Sequence, residues 1–212
     1  MKKTQLFSSL LTKEISQNRR RYLLVSGLFL MGVLGGTLTA AMADSLTEIK
    51  EYVNSFLSSY SLQGAAKIQV FQLSLFNYLK FGFFLWVSGW YCWLFPICFL
   101  QVFSKGFRIG FSIACFVQCY SFRGILLSLL TLLPQNLLFL PALLFFSVYQ
   151  FQFLSDRRYL IAGNTNKNFQ KQVYGKNILY GILFVFLLFL CSLIEGYLVP
   201  AWLQPLCGFF LA

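Results

Sequence analysis

Leu133-Pro134-Gln135-Asn136-Leu137 interrupts the most apolar stretch of the chain, Gly124 to Leu154, which carries no charge. A proline followed by two carboxamides is costly in such surroundings. Proline removes a backbone donor and clashes with the preceding turn, and carboxamides resist transfer into hydrocarbon. Lipid tolerates a broken helix only where protein or water satisfies the freed groups. One reading is a kinked membrane helix braced by amide hydrogen bonds to a neighbour. The other is a discontinuous helix lining a polar cavity. Both need further helices packed against this point.

Composition agrees. The chain of 212 residues is 58% hydrophobic and 19% aromatic, with 26 Phe and only 11% charged residues, and its mean hydropathy is +0.69. These values describe an integral membrane protein and leave no stretch long enough for a separate soluble domain. The expected fold is all-α, a polytopic bundle of five transmembrane helices forming a single membrane domain over residues 1–212. The six cysteines lie in apolar segments without disulfide or zinc spacing, and there is no histidine. They read as small buried hydrophobes, with no metal and no cofactor expected.

Outward from the central stretch, spans are expected at Tyr22–Ala43, Phe81–Phe103, Gly106–Phe122, Gly124–Leu154 (broken by Pro134) and Ile178–Val199. The first holds Gly32 and Gly36, a step that permits close helix approach. It also suits a homodimer. Ala41-Met42-Ala43 imitates a signal-peptide cleavage site, but the long apolar region and long basic leader favour an uncleaved anchor. Met1–Arg21 is a basic tail, and residues 155–177 form a basic loop without a glycine-rich phosphate cradle. That loop reads as topology and lipid contact, with no nucleic-acid partner. Between spans one and two, Ser45 and Glu48 make a capping box. Leu46, Ile49, Val53, Phe56 and Tyr60 then form an apolar stripe, and Ile68, Phe71, Leu75 and Leu79 form a second. Two amphipathic helices outside the spans are expected over residues 44–80, resting on the membrane or offering a docking platform. The apolar tail 200–212 is too short to cross again.

Charge sets the orientation. With the N-terminus cytoplasmic, thirteen Lys and Arg lie inside: six in the tail, Lys105 and Arg108 in a short loop, and five from Arg157 to Lys176. Four lie outside, at Lys50, Lys67, Lys80 and Arg123. This asymmetry puts the insert and the C-terminus outside the cytoplasm. Glu195 is the one carboxylate expected within a span. Such a group is a functional hypothesis by default, although a place near the outer helix end also allows a plain hydration or capping role.

Several runs carry a family resemblance: Lys105-Gly106-Phe107-Arg108-Ile109-Gly110-Phe111, Gly124-Ile125-Leu126-Leu127-Ser128 and Leu133-Pro134-Gln135-Asn136-Leu137. Leu28-Phe29-Leu30-Met31-Gly32-Val33 and Ile194-Glu195-Gly196-Tyr197 before Pro200 add to it. Together they resemble the stage II sporulation protein M family, with Val199 where the family commonly has Thr. The resemblance implies a cell-membrane protein at the sporulation septum, on the mother-cell side. It would anchor the septal peptidoglycan hydrolases, stage II sporulation proteins D and P, during engulfment. Gly32, Gly36, Gly106, Gly110, Pro134, Gln135, Asn136, Glu195 and Pro200 are the structural and interaction candidates.

Catalysis by this chain is not expected. Hydrolysis requires a positioned base, nucleophile or metal, and a glycosidase requires two facing carboxylates. Asp44, Glu48 and Glu51 crowd one helix start, where the helix dipole accounts for them. Two classes remain: a scaffold for extracytoplasmic hydrolases, and a transporter or permease-like subunit with a polar pathway around Pro134–Asn136 and Glu195. The scaffold is preferred because intramembrane polarity is scarce.

Overall fold

The computed structural model describes residues 16, 18–42, 49–51, 53, 55, 65–161 and 167–203, and these are helical apart from short turns. Five long helices carry the fold: α1 (Arg19–Ala41), α2 (Ala65–Ser88), α3 (Phe95–Tyr120), α4 (Phe122–Ile161) and α5 (Lys167–Leu193). The last continues through a π turn, Ile194–Leu198, and stays helical to Leu203. All five are long and apolar enough to cross a membrane.

The most extensive pairing joins α1 to α3, and glycine is its cause. A Cβ on Gly32 or Gly36 would run into the carbonyl oxygens of Phe103 and Phe107, and one on Gly106 or Gly110 into those of Phe29 and Val33. Two small-residue steps therefore interlock within one chain, the close approach that membrane helices use in place of a hydrophobic driving force. The Gly32/Gly36 face thus packs against α3. Gln118 closes the end of the pair, its Nε2 donating to the Ala40 carbonyl at 2.9 Å.

Helices α3 and α4 are joined by one residue. Ser121 takes a φ of 52°, a region that L side chains rarely enter, and its N–H donates to the Val117 carbonyl at 2.7 Å. Gly124 lets the returning helix press on the Phe116 carbonyl. The main core gathers Leu85, Val102, Phe139, Phe146, Phe184 and Leu188 from four helices, with Phe146 and Phe184 stacked at 4.2 Å between centroids. At one end of the bundle Val53 buries itself among Phe116, Leu127, Val199 and Leu203, with Ile49 beside it. The other end is aromatic and basic. Arg157 lies 5.5 Å from the Trp90 ring centroid, and Arg21 lies 4.8 Å from that of Phe151.

The first span falls close to its expected position, but the next two shift. No loop interrupts the chain at Lys105 and Arg108, which sit within α3. The break falls earlier, at residues 89–94. There Gly89 fits against the Gln150 side chain, and Pro96 in the first turn starts α3, the position where a missing N–H costs nothing. The stripe Ile68, Phe71, Leu75 and Leu79 accordingly belongs to a spanning helix. Pro134 and Pro141 lie inside an uninterrupted α4 of 40 residues, so the helix is not broken. The ends of α4 and α5 also place residues 155–161 and 167–177 of the expected loop in helix. The capping box at Ser45 and Glu48, the basic tail to Ile15 and the tail beyond Leu203 lie outside the described residues.

Candidate functional site

Two polar stripes of helical spacing face each other. Ser74, Asn77, Tyr78 and Phe81 share one face of α2, and Gln101, Ser104, Lys105 and Arg108 share one face of α3. They wall a cavity of about 480 Å³, within the roughly 300–1,000 Å³ typical of small-molecule sites. Gln135 and Phe139 from α4 and Glu195 from α5 also line it.

Lys105 leaves the middle of α3 and lays its ammonium over aromatic faces, 4.3 Å from the Phe139 centroid and 5.4 Å from that of Tyr78. A cation held over a ring face is attracted by its quadrupole, by about 0.5–2 kcal/mol depending on desolvation. The Tyr78 hydroxyl donates to Gln135 Oε1 at 3.3 Å, so the central carboxamide does hold a neighbouring helix. Glu195 stands close enough to act electrostatically on both Tyr78 and Lys105. Arg108 turns back on its own helix only weakly, Nε to the Ser104 carbonyl at 3.4 Å, leaving its other N–H groups for the cavity. Lys80 completes the charged set.

The π turn explains how α5 presents Glu195. Pro200 lacks an N–H and would clash with a carbonyl one turn back. Widening the preceding turn, so that the Val199 N–H donates to the Ile194 carbonyl, accommodates it. Such bulges recur at functional sites. Gly196 meanwhile lets α5 close on the backbone of Phe71. Because the helix continues to Leu203, Glu195 lies deeper than a helix-end position.

The candidates read from the sequence therefore separate into three groups. Gln135 and Glu195 meet in the cavity. Gly32, Gly36, Gly106 and Gly110 form the α1–α3 seam. Pro134, Asn136 and Pro200 shape their own helices: Asn136 Nδ2 donates to the Leu132 carbonyl at 2.8 Å, one turn back. Lys80, Lys105, Arg108 and Tyr78 were not foreseen as site residues, although the spacing of the two polar stripes carried the signal. Among the described residues, no three His, Cys, Asp or Glu side chains gather as a metal site would require.

The family model for stage II sporulation protein M matches residues 25–200. The chain belongs to that family. As a stage II sporulation protein M family member it is a sporulation-related, multi-pass membrane protein, and the matched segment encloses every residue of the cavity and of the glycine seam. No curated protein and no solved structure matches this family member significantly.

Proposed function

We propose that this protein is a non-catalytic membrane scaffold that recruits peptidoglycan hydrolases, stage II sporulation proteins D and P, to the septal membrane during engulfment. The observation that carries this reading is the seating of the segment after α1. Val53 and Ile49 pack onto the bundle end formed by Phe116, Leu127, Val199 and Leu203, while Lys50 and Glu51 face outward. A segment anchored by its apolar side presents its polar side in a fixed orientation, as a docking platform needs. Family membership supports the sporulation setting. The charge distribution supports an extracytoplasmic position for the platform.

Capture of the two hydrolases from sporulating cells tests it. Val53→Asp places a charge among buried apolar groups, where an unpaired charge is strongly disfavoured, and should undock the platform and abolish recruitment. Reversing both exposed charges (Lys50→Glu with Glu51→Lys) should cost under about 0.5 kcal/mol of stability and still weaken capture. Normal recruitment and engulfment in both variants would sink the scaffold. The charged cavity favours a second reading, a transporter or permease-like subunit. Under it, Glu195→Gln abolishes function and the platform changes leave it intact.

A further inference from the structure

We infer that the cavity between α2 and α3 is a binding site for a phosphoryl-class anion, reached sideways from the membrane. The inference stands apart from the scaffold reading, because it concerns the middle of the bundle and not its end.

Charge balance is the first ground. The cavity is lined by three cations, Lys80, Lys105 and Arg108, against the single carboxylate Glu195. Cations inside a membrane span are disfavoured and are retained where they meet a partner, water or a translocated charge. Glu195 and the two aromatic faces attend to Lys105. Lys80 and Arg108 remain, both on exposed flanks of their helices. An anion bearing two negative charges restores neutrality, and a single negative charge halves the excess.

Donor chemistry is the second. The guanidinium fork suits the paired oxygens of a phosphoryl group, with lysine as a compact point charge beside it. Asn77, Gln101 and Ser104 add neutral polar groups on the same walls. The Gln101 Oε1 is buried with no partner, which leaves a polar group inside the cavity for a bound ligand's hydroxyl or a water.

Geometry is the third. Phe84 and Leu100 line the cavity and are exposed on the bundle flank, Leu100 at 65%. The mouth therefore opens between α2 and α3 towards lipid, with apolar lips beside charged walls. That combination admits an amphiphile whose headgroup enters while its chains stay outside. A soluble phosphoryl anion shares the recognition chemistry and lacks only the chains.

The test uses the full-length protein in phosphatidylcholine nanodiscs. One arm adds phosphatidylglycerol and reads retained lipid by native mass spectrometry; the other titrates inorganic pyrophosphate. Wild-type protein should bind in at least one arm at least tenfold more tightly than the Lys80→Gln/Arg108→Gln variant, and Arg108→Lys, which keeps the charge without the fork, should lose less than that variant. Binding in the lipid arm alone assigns a headgroup, and binding in the pyrophosphate arm alone assigns a soluble anion. Binding in neither arm, or equal binding by the double variant, overturns the inference. Should the double variant not fold, a photo-crosslinker at Leu100 in otherwise wild-type protein decides. Adducts enriched in phosphatidylglycerol over its share of the bilayer, or suppressed by pyrophosphate, support the site, and adducts in bulk lipid proportion that pyrophosphate leaves unchanged overturn it.

Discussion

A single hydrogen atom decides whether α1 and α3 can meet. Gly106 faces the Phe29 carbonyl with no room for a Cβ, whereas Gly27, on the same helix as Phe29, has nothing within 4 Å of that position. Gly106→Val should therefore force the helices apart and cost about 1–3 kcal/mol, as overpacking does. Gly27→Ala should leave stability unchanged or raise it by up to about 1 kcal/mol, since alanine is the better helix former. Thermal unfolding in detergent checks both; equal melting of Gly106→Val and wild type would rule out the seam. Gly32 and Gly36 were legible as packing residues from their spacing alone. Their partner was not, because such a step specifies closeness and says nothing of which helix comes close. Gln135 and Asn136 divide in the same way. A buried carboxamide must find a hydrogen bond, but neighbouring amides on one helix point in different directions. Gln135 reaches Tyr78 across the interface and Asn136 reaches its own backbone.

At the scale of the element, the number of spans was legible and two of their boundaries were not. Charges ordinarily mark helix ends, so Lys105 and Arg108 read as a loop. They are instead interior to α3, because Phe139, Tyr78 and Glu195 offer the ammonium at Lys105 a place within the bundle. The true turn carried quieter signals, Gly89 and Pro96. Labelling distinguishes the two arrangements. With the other cysteines replaced by alanine, Cys92, exposed beside the turn, should react readily with a hydrophilic maleimide in intact membranes opened at both faces. A cysteine at Phe107, set against α1 in the seam, should react at least tenfold more slowly. Comparable rates at the two positions would restore the loop. The uninterrupted α4 has its own lesson. Thr131 Oγ1 donates to the Leu127 carbonyl at 2.8 Å and Asn136 Nδ2 to that of Leu132. Local side chains thus hydrogen-bond to backbone carbonyls on either side of Pro134, and the helix runs on through it.

For the whole molecule, moving Lys80 from the outer insert, and Lys105 and Arg108 from a loop, into spanning helices sharpens the asymmetry of charge. Eleven cations then remain on the proposed cytoplasmic side, in the tail and from Arg157 to Lys176, against Lys50, Lys67 and Arg123 on the other. A cysteine at Lys167 should accordingly be labelled only after the cytoplasmic face is opened; labelling from outside in intact cells would invert the bundle. The α4 helix, at 40 residues and about 1.5 Å per residue, is roughly twice as long as the ~30 Å hydrocarbon core. Part of it must stand beyond the lipid. The one-residue link at Ser121 matters during synthesis. It leaves too little chain between α3 and α4 for the nascent polypeptide to pause with one helix released and the other still in the translocation channel. The two therefore enter the lipid as a hairpin, in which Lys105 meets the Phe139 ring of α4.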